Sequence, residues 1–164
     1  MSFDPESFMR QTIDAPLETE FKLVPIGEYL AAIDDFDSTA VEQVNFEYKK
    51  GARAGTPGSM LKFNCPFVIN DEGIKQELGR DKIVVTKQII LDIDDNGALA
   101  SGTNKNVELG RLRDAVGQNG NGPWSLMNLR GAGPVMLKVT HVEFDRKDGK
   151  KGRRAEIAAV VRVV

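Results

Sequence analysis

The stretch Pro134-Val135-Met136-Leu137-Lys138-Val139-Thr140-His141-Val142 opens the segment that decides the reading of the fold. The chain then passes through Glu143-Phe144-Asp145-Arg146-Lys147-Asp148-Gly149-Lys150-Lys151-Gly152-Arg153-Arg154 and returns as Ala155 to Val164. Two runs rich in β-branched residues on either side of a polar, glycine-containing loop form the pattern of a β-hairpin. From Arg146 to Arg154, six of nine residues are Lys or Arg and one is Asp, so the tip carries a formal charge of +5. Gly149 and Gly152 leave that tip free to bend around a partner's backbone. A hairpin with concentrated cations at its tip suits a nucleic-acid-binding arm. A solvated charged loop is the plainer reading.

Working outward, Ser59 to Ile69 shows the cleanest alternation in the chain. Leu61, Phe63, Cys65, Phe67 and Ile69 share one face and Lys62 and Asn64 the other, with Pro66 suggesting an edge or a bulge. Gly27 to Phe36 reads as a first strand with Tyr29, Ala31 and Ile33 on one side, and Val41 to Tyr48 continues it. Between these and Ser59 lies Lys49-Lys50-Gly51-Ala52-Arg53-Ala54-Gly55-Thr56-Pro57-Gly58, a loop with three cations and three glycines. Asn70 to Gly73 turns the chain, Ile74 to Arg80 predicts one helical turn ending at Gly79, and Lys82 to Ile93 is a long apolar strand. Asn106 to Gly117 predicts a helix with Asn106 as N-cap and an apolar stripe of Leu109, Leu112 and Val116. Trp124 to Arg130 predicts a further short helix, with Trp124 a packing residue.

That order, with the helix at Asn106–Gly117 between the third and fourth strands, leads to a mainly β fold, a five-stranded OB-like barrel over residues 27–164. Residues 1–26, with Pro5, Pro16 and Pro25, form an acidic N-terminal arm. A short helix is expected from Pro5, capped by Asp4, and Phe3, Phe8 and Phe21 are expected to pack on the body or on a second subunit, giving a homo-oligomer. In an OB fold, ligands bind the face of strands 2–3 and the loops joining strands 1–2 and 4–5. Here those loops are Lys49–Gly58 and Asp145–Arg154, the two most cation-rich in the chain. Fold order and charge therefore select the same surface.

A single-strand binder needs a cationic track for phosphates and flat side chains on which bases stack. The candidate cations are Lys49, Lys50, Arg53, Lys62, Lys87, Arg146, Lys147, Lys150, Lys151, Arg153 and Arg154. The candidate platforms are Phe46 and Tyr48, just before the first basic loop, and Phe144 at the base of the second. Phe63 and Phe67 belong to the core face.

Charge is unevenly divided. Residues 1–47 hold 11 acidic and 2 basic side chains, net −9, and residues 48–164 hold 13 acidic and 20 basic, net +7. An acidic front on a basic body hints at nucleic-acid contact or an autoinhibitory tail. No stretch approaches the ~18 apolar residues of a membrane span, and the acidic start lacks the apolar run of a signal peptide. Cys65 is the only cysteine, which fits a reducing cytoplasm, and one Cys with one His cannot close a structural zinc site. Asp92-Ile93-Asp94-Asp95-Asn96-Gly97 resembles half a calcium loop, but Thr103 stands where the bidentate Glu belongs, so a plain turn is expected. Asp34, Asp35 and Asp37 raise a metal-dependent nuclease as a minor reading. His141 lies in an apolar strand, and phosphate-loop and nucleophile-elbow motifs are absent. The chain is expected to be non-catalytic and to need no cofactor.

The segments Leu109-Gly110-Arg111-Leu112, Ala115-Val116-Gly117, Leu129-Arg130-Gly131, Val135-Met136-Leu137-Lys138-Val139 and Asp148-Gly149-Lys150 resemble the C-terminal half of a family of small phage-encoded proteins. Pro25-Ile26-Gly27-Glu28-Tyr29 resembles that family's entry into its first strand. The family was long catalogued as a domain of unknown function and is taken to comprise OB-fold single-stranded DNA-binding proteins. The resemblance implies a role in phage DNA replication or recombination, single-stranded DNA as ligand, replication or recombination proteins as partners, and the host cytoplasm as location. Many single-strand binders end in an acidic tail that recruits partners, whereas this chain carries its acid at the front. The competing expectation is a structural or adaptor protein of a phage particle or replication complex that grips protein through the arm and the basic hairpin.

Overall fold

A computed structural model of the chain describes residues 2–163; Met1 of the arm and Val164 of the final strand run lie outside the described residues. Its elements are α1 (Pro5–Met9), β1 (Gly27–Ile33), β2 (Val41–Glu47), β3 (Pro57–Ile69), α2 (Glu72–Leu78), β4 (Ile83–Leu91), α3 (Val107–Ala115), β5 (Val135–Asp145) and β6 (Lys151–Arg162), with 3₁₀ turns at Ser38–Ala40 and Leu126–Leu129. The six strands form one antiparallel sheet in the order β2-β3-β1-β5-β6, with β4 on the other edge of β3.

β3 is the strand from which the sheet is built. One edge pairs with β4 from Leu61 to Ile69, and the other is shared, by β2 up to Phe63 and by β1 from Phe67. This division accommodates Pro66 inside a strand, where a proline is ordinarily excluded. The Pro66 carbonyl accepts from the Asp34 amide at 2.9 Å on the side where β1 hands over to β2, so its missing N–H falls where no strand lies. The handover is made by Asp37, whose carboxylate accepts from the Thr39 amide and caps the Ser38–Ala40 turn.

The alternation of β3 buries Phe63, Cys65, Phe67 and Ile69 completely, and Ile33, Ile83, Ile89, Val135 and Leu137 join them from neighbouring strands. Each such side chain contributes roughly 1.5–3 kcal/mol by leaving water. α3 lays Leu109, Leu112 and Ala115 against this face. Asn106 stands at the expected start of α3 but makes no side-chain capping bond, and its φ is 51°. Its carboxamide instead accepts from the Asp92 amide and donates to the carbonyls of Asp92 and Ala100, all at 2.8 Å, tying the helix to the end of β4.

The five-stranded OB-like barrel expected from the order of elements does not form. The fold is mixed α/β, with a six-stranded open sheet and three α-helices among the described residues. Val41–Glu47 is a strand of its own and, among the described residues, β4 pairs only with β3 and β6 only with β5. Three local features keep those two edges apart. Lys87 occupies an inward-phase position of β4, between buried Val85 and Ile89, and reaches Glu108 of α3 at 3.6 Å. A charge turned inward on an edge strand opposes further pairing. In β6 the register with β5 shifts, with Val139 opposite Ile157 and Lys138 opposite Ala159, so Ala158 is an extra residue in this edge strand. Beyond it, Arg162 donates to the Asp114 carbonyl of α3 at 2.8 Å, which seats the helix where a strand ladder would otherwise continue. Among the described residues, no helix is long and apolar enough to cross a membrane.

Candidate nucleic-acid interface

Both basic loops are hairpin tips, and they are built alike. In the first, the ladder of β2 and β3 continues one step beyond the strands: the Tyr48 amide donates to Thr56 at 2.9 Å and the Gly55 amide to Tyr48 at 2.7 Å. Phe46 faces Gly58 across the ladder. Phe46 and Tyr48 lie two residues apart on one face, their rings 4.9 Å apart at 71°, and both rings lie over that glycine. A Cβ on Gly58 would sit 2.6 Å from the Tyr48 ring and 2.8 Å from that of Phe46, so only glycine lets the pair settle there. The Arg53 guanidinium stands 5.7 Å from the centre of the Tyr48 ring.

In the second tip the Arg146 amide donates to Lys150 at 2.9 Å, and Gly149 adopts a φ of 81°. Phe144 faces Gly152, whose Cβ would lie 2.5 Å from the ring, and the Arg154 guanidinium stands 5.7 Å from the ring centre. The arrangement of an aromatic lying across a cross-strand glycine, flanked by an arginine, thus occurs twice. It holds a flat side chain at the hairpin surface: Phe144 remains 38% exposed.

The cations are less bare than their sequence density implies. Lys151 meets Asp145 at 2.5 Å and Arg153 meets Glu143 at 3.9 Å, each directly across the ladder. Arg154 meets Glu156 at 2.9 Å, and Arg146 lies 3.5 Å from Glu20 of the arm and 3.9 Å from Asp148. Residues 143–156 hold six cations against four acids, a net of +2. Exposed pairs of this kind are each worth about 0.2–1 kcal/mol, so a phosphate can replace a carboxylate at little cost. Among the described residues, Lys147 and Lys150 at the second tip make no ion pair, nor do Lys49, Lys50 and Arg53 at the first, nor Lys62.

Lys62 and Lys87 belong to neither tip. Lys62 is on the outer face of β3, in register with Glu42 of β2 and Ile90 of β4. Lys87 lines the opening between the free edges of β4 and β6, a cleft of about 450 Å³ that also admits Thr86, Gln88, Arg154 and Glu156. Periodicity does not single out Thr86, Gln88 or Glu156, because their shared lining of this cleft depends on which two strands end as facing edges. The pairing of Asn64 with Gln88 across β3 and β4 on the outer face is equally invisible along the chain.

The remaining candidates make structural contacts. Asp34 pairs with Lys82 at 2.7 Å and Asp35 with Arg130 at 2.5 Å, and these bonds hold both carboxyls below the usual carboxylate range. Asp94 accepts from the amides of Asn96 and Ala98, closing a turn. Trp124 donates to Gln118 at 2.8 Å beneath the Arg113 guanidinium. His141 Nε2 lies 2.6 Å from the Val24 carbonyl and fastens the root of the arm. Cys65 is fully buried, and burial pushes its thiol up to about 12. Among the described residues, no group of three or more His, Cys, Asp or Glu is arranged to hold a metal ion.

Compared with protein-family models, curated proteins and solved structures, the chain matches none.

Proposed function

We propose that this protein binds single-stranded DNA without catalysis, in the service of phage DNA replication or recombination in the host cytoplasm. The observation that carries the reading is the repeated hairpin device: Phe46 and Tyr48 over Gly58 with Arg53, and Phe144 over Gly152 with Arg154. Aromatic faces held at a cationic surface stack bases whatever their identity, each worth roughly 1–3 kcal/mol. In this reading Lys49 and Lys50 at one tip, and Lys147 and Lys150 at the other, meet phosphates. The test is fluorescence anisotropy of labelled oligo-dT and of its duplex with oligo-dA. Salt-sensitive binding to the single strand with weak binding to the duplex supports the reading; no binding to either at low salt refutes it.

A second reading, as an adaptor for a replication complex or particle, draws on the arm. Phe21 is 85% exposed and Leu17 74%, an apolar display suited to a protein partner or a second copy. Light scattering of the full chain and of a variant lacking residues 2–19 tests the self-associating form of that reading. It predicts an oligomer that the truncation dissolves; a monomer in both contradicts it.

A further inference from the structure

The two strand edges that leave the sheet open face each other across the cleft that Lys87 lines. One wall is Thr86, Lys87 and Gln88 of β4, and the other runs from Arg154 through Glu156 to Ile157 of β6. Because β4 pairs only with β3 and β6 only with β5, alternate residues of each turn their N–H and C=O groups toward the gap. The cleft therefore carries main-chain donors and acceptors on two sides, Thr86 and Gln88 in its lining, and on each wall a cation already paired with a carboxylate, Lys87 with Glu108 and Arg154 with Glu156. Ile157, only 6% exposed, supplies an apolar floor. Its size falls within the range of small-ligand pockets, roughly 300–1,000 Å³.

We propose that this cleft is a base-reading pocket. An unstacked nucleobase of the bound single strand enters it, rests on Ile157, and presents its hydrogen-bonding edge to Gln88 and the free strand edges. Arg154 links the pocket to the stacking platform, since its guanidinium also stands 5.7 Å from the centre of the Phe144 ring. A base stacked on Phe144 and its neighbour in the cleft would share the phosphate that Arg154 meets. The polar lining suits a nucleobase better than a hydrocarbon. The short walls, three residues of β4 and four of β6, suit a base better than an added peptide strand. The inference rests on the single-stranded DNA reading and goes further, because base contacts confer sequence preference while phosphate contacts do not.

The test combines two measurements on the full chain. An oligo-dT carrying one 4-thiothymidine is crosslinked by light and the attached peptide mapped by mass spectrometry; attachment is expected within residues 86–88 or 154–157. Gln88→Ala, an exposed position, is expected to weaken oligo-dT binding roughly 2- to 10-fold, the loss of one neutral hydrogen bond, with the salt slope and the thermal midpoint unchanged. Crosslinks confined to residues 46–56 and 144–152, with Gln88→Ala binding as the unaltered protein does, would overturn the pocket while leaving the DNA-binding reading intact. Failure of the unaltered protein to bind any oligonucleotide would overturn both.

Discussion

Gly58 and Gly152 matter for what they allow their neighbours to do. The rings of Phe46, Tyr48 and Phe144 settle into space that any β-carbon would occupy, 2.5–2.8 Å from where ring atoms now lie. Phe144→Ala removes one platform outright and is expected to weaken oligo-dT binding by roughly 1–3 kcal/mol. Gly152→Val keeps the ring but forces it off its seat, and is expected to weaken binding in the same direction. Binding unaltered in both variants would show that the ring only covers its own hairpin. Cys65 supports a separate prediction. Its thiol, pushed up to about 12 by burial, should resist alkylation at pH 8 in the native protein and react fully in denaturant. A thiol that holds its proton more firmly when folded contributes stability below its ordinary value near 8.5, about the unfolded one. That contribution is lost as pH rises from there through about 12. Urea midpoints measured from pH 8 upward should therefore fall, and less so in Cys65→Ala.

At the scale of elements, β3 was legible because one of its faces is buried. Leu61, Phe63, Cys65, Phe67 and Ile69 alternate in sequence as they do in the sheet. The open edges were not legible. They arise from Lys87 meeting Glu108, from an extra residue at Ala158, and from Arg162 binding the end of α3, all of which depend on long-range placement. The site divides in the same way. Phe46, Tyr48 and Phe144 could be picked out because they precede basic, glycine-bearing turns. The neutralisation of Arg153 by Glu143 and of Lys151 by Asp145 requires knowing the hairpin register, and the approach of Glu20 to Arg146 requires the path of the arm. That path is held by Val24 at His141 and Lys22 at Glu77. An acidic residue held on a tip cation competes with phosphate. Glu20→Gln is accordingly expected to tighten oligo-dT binding about 2-fold at low salt, the scale of one exposed ion pair. Weaker binding in anisotropy titrations would contradict that role for the arm.

For the whole molecule, a net charge of −2 conceals an acidic front joined to a body that carries its cations on two hairpins. The sheet supplies the rigid part: β3 anchors one hairpin through β2, β5 and β6 form the other, and the gap between β4 and β6 borders the second. Affinity built this way should be largely electrostatic, because each neutralised phosphate releases counterions and the logarithm of the binding constant falls with the logarithm of salt by about 0.7 per contact on a single strand. Lys147 and Lys150, which make no ion pair among the described residues, are the cleanest probes of this term. The decisive measurement is therefore the salt dependence of oligo-dT affinity for the unaltered protein and for Lys147→Ala/Lys150→Ala. The account predicts a steep decline with salt, and a slope shallower by about 1.4 in the double variant. A slope that the substitutions leave unchanged, or an affinity insensitive to salt, would contradict it.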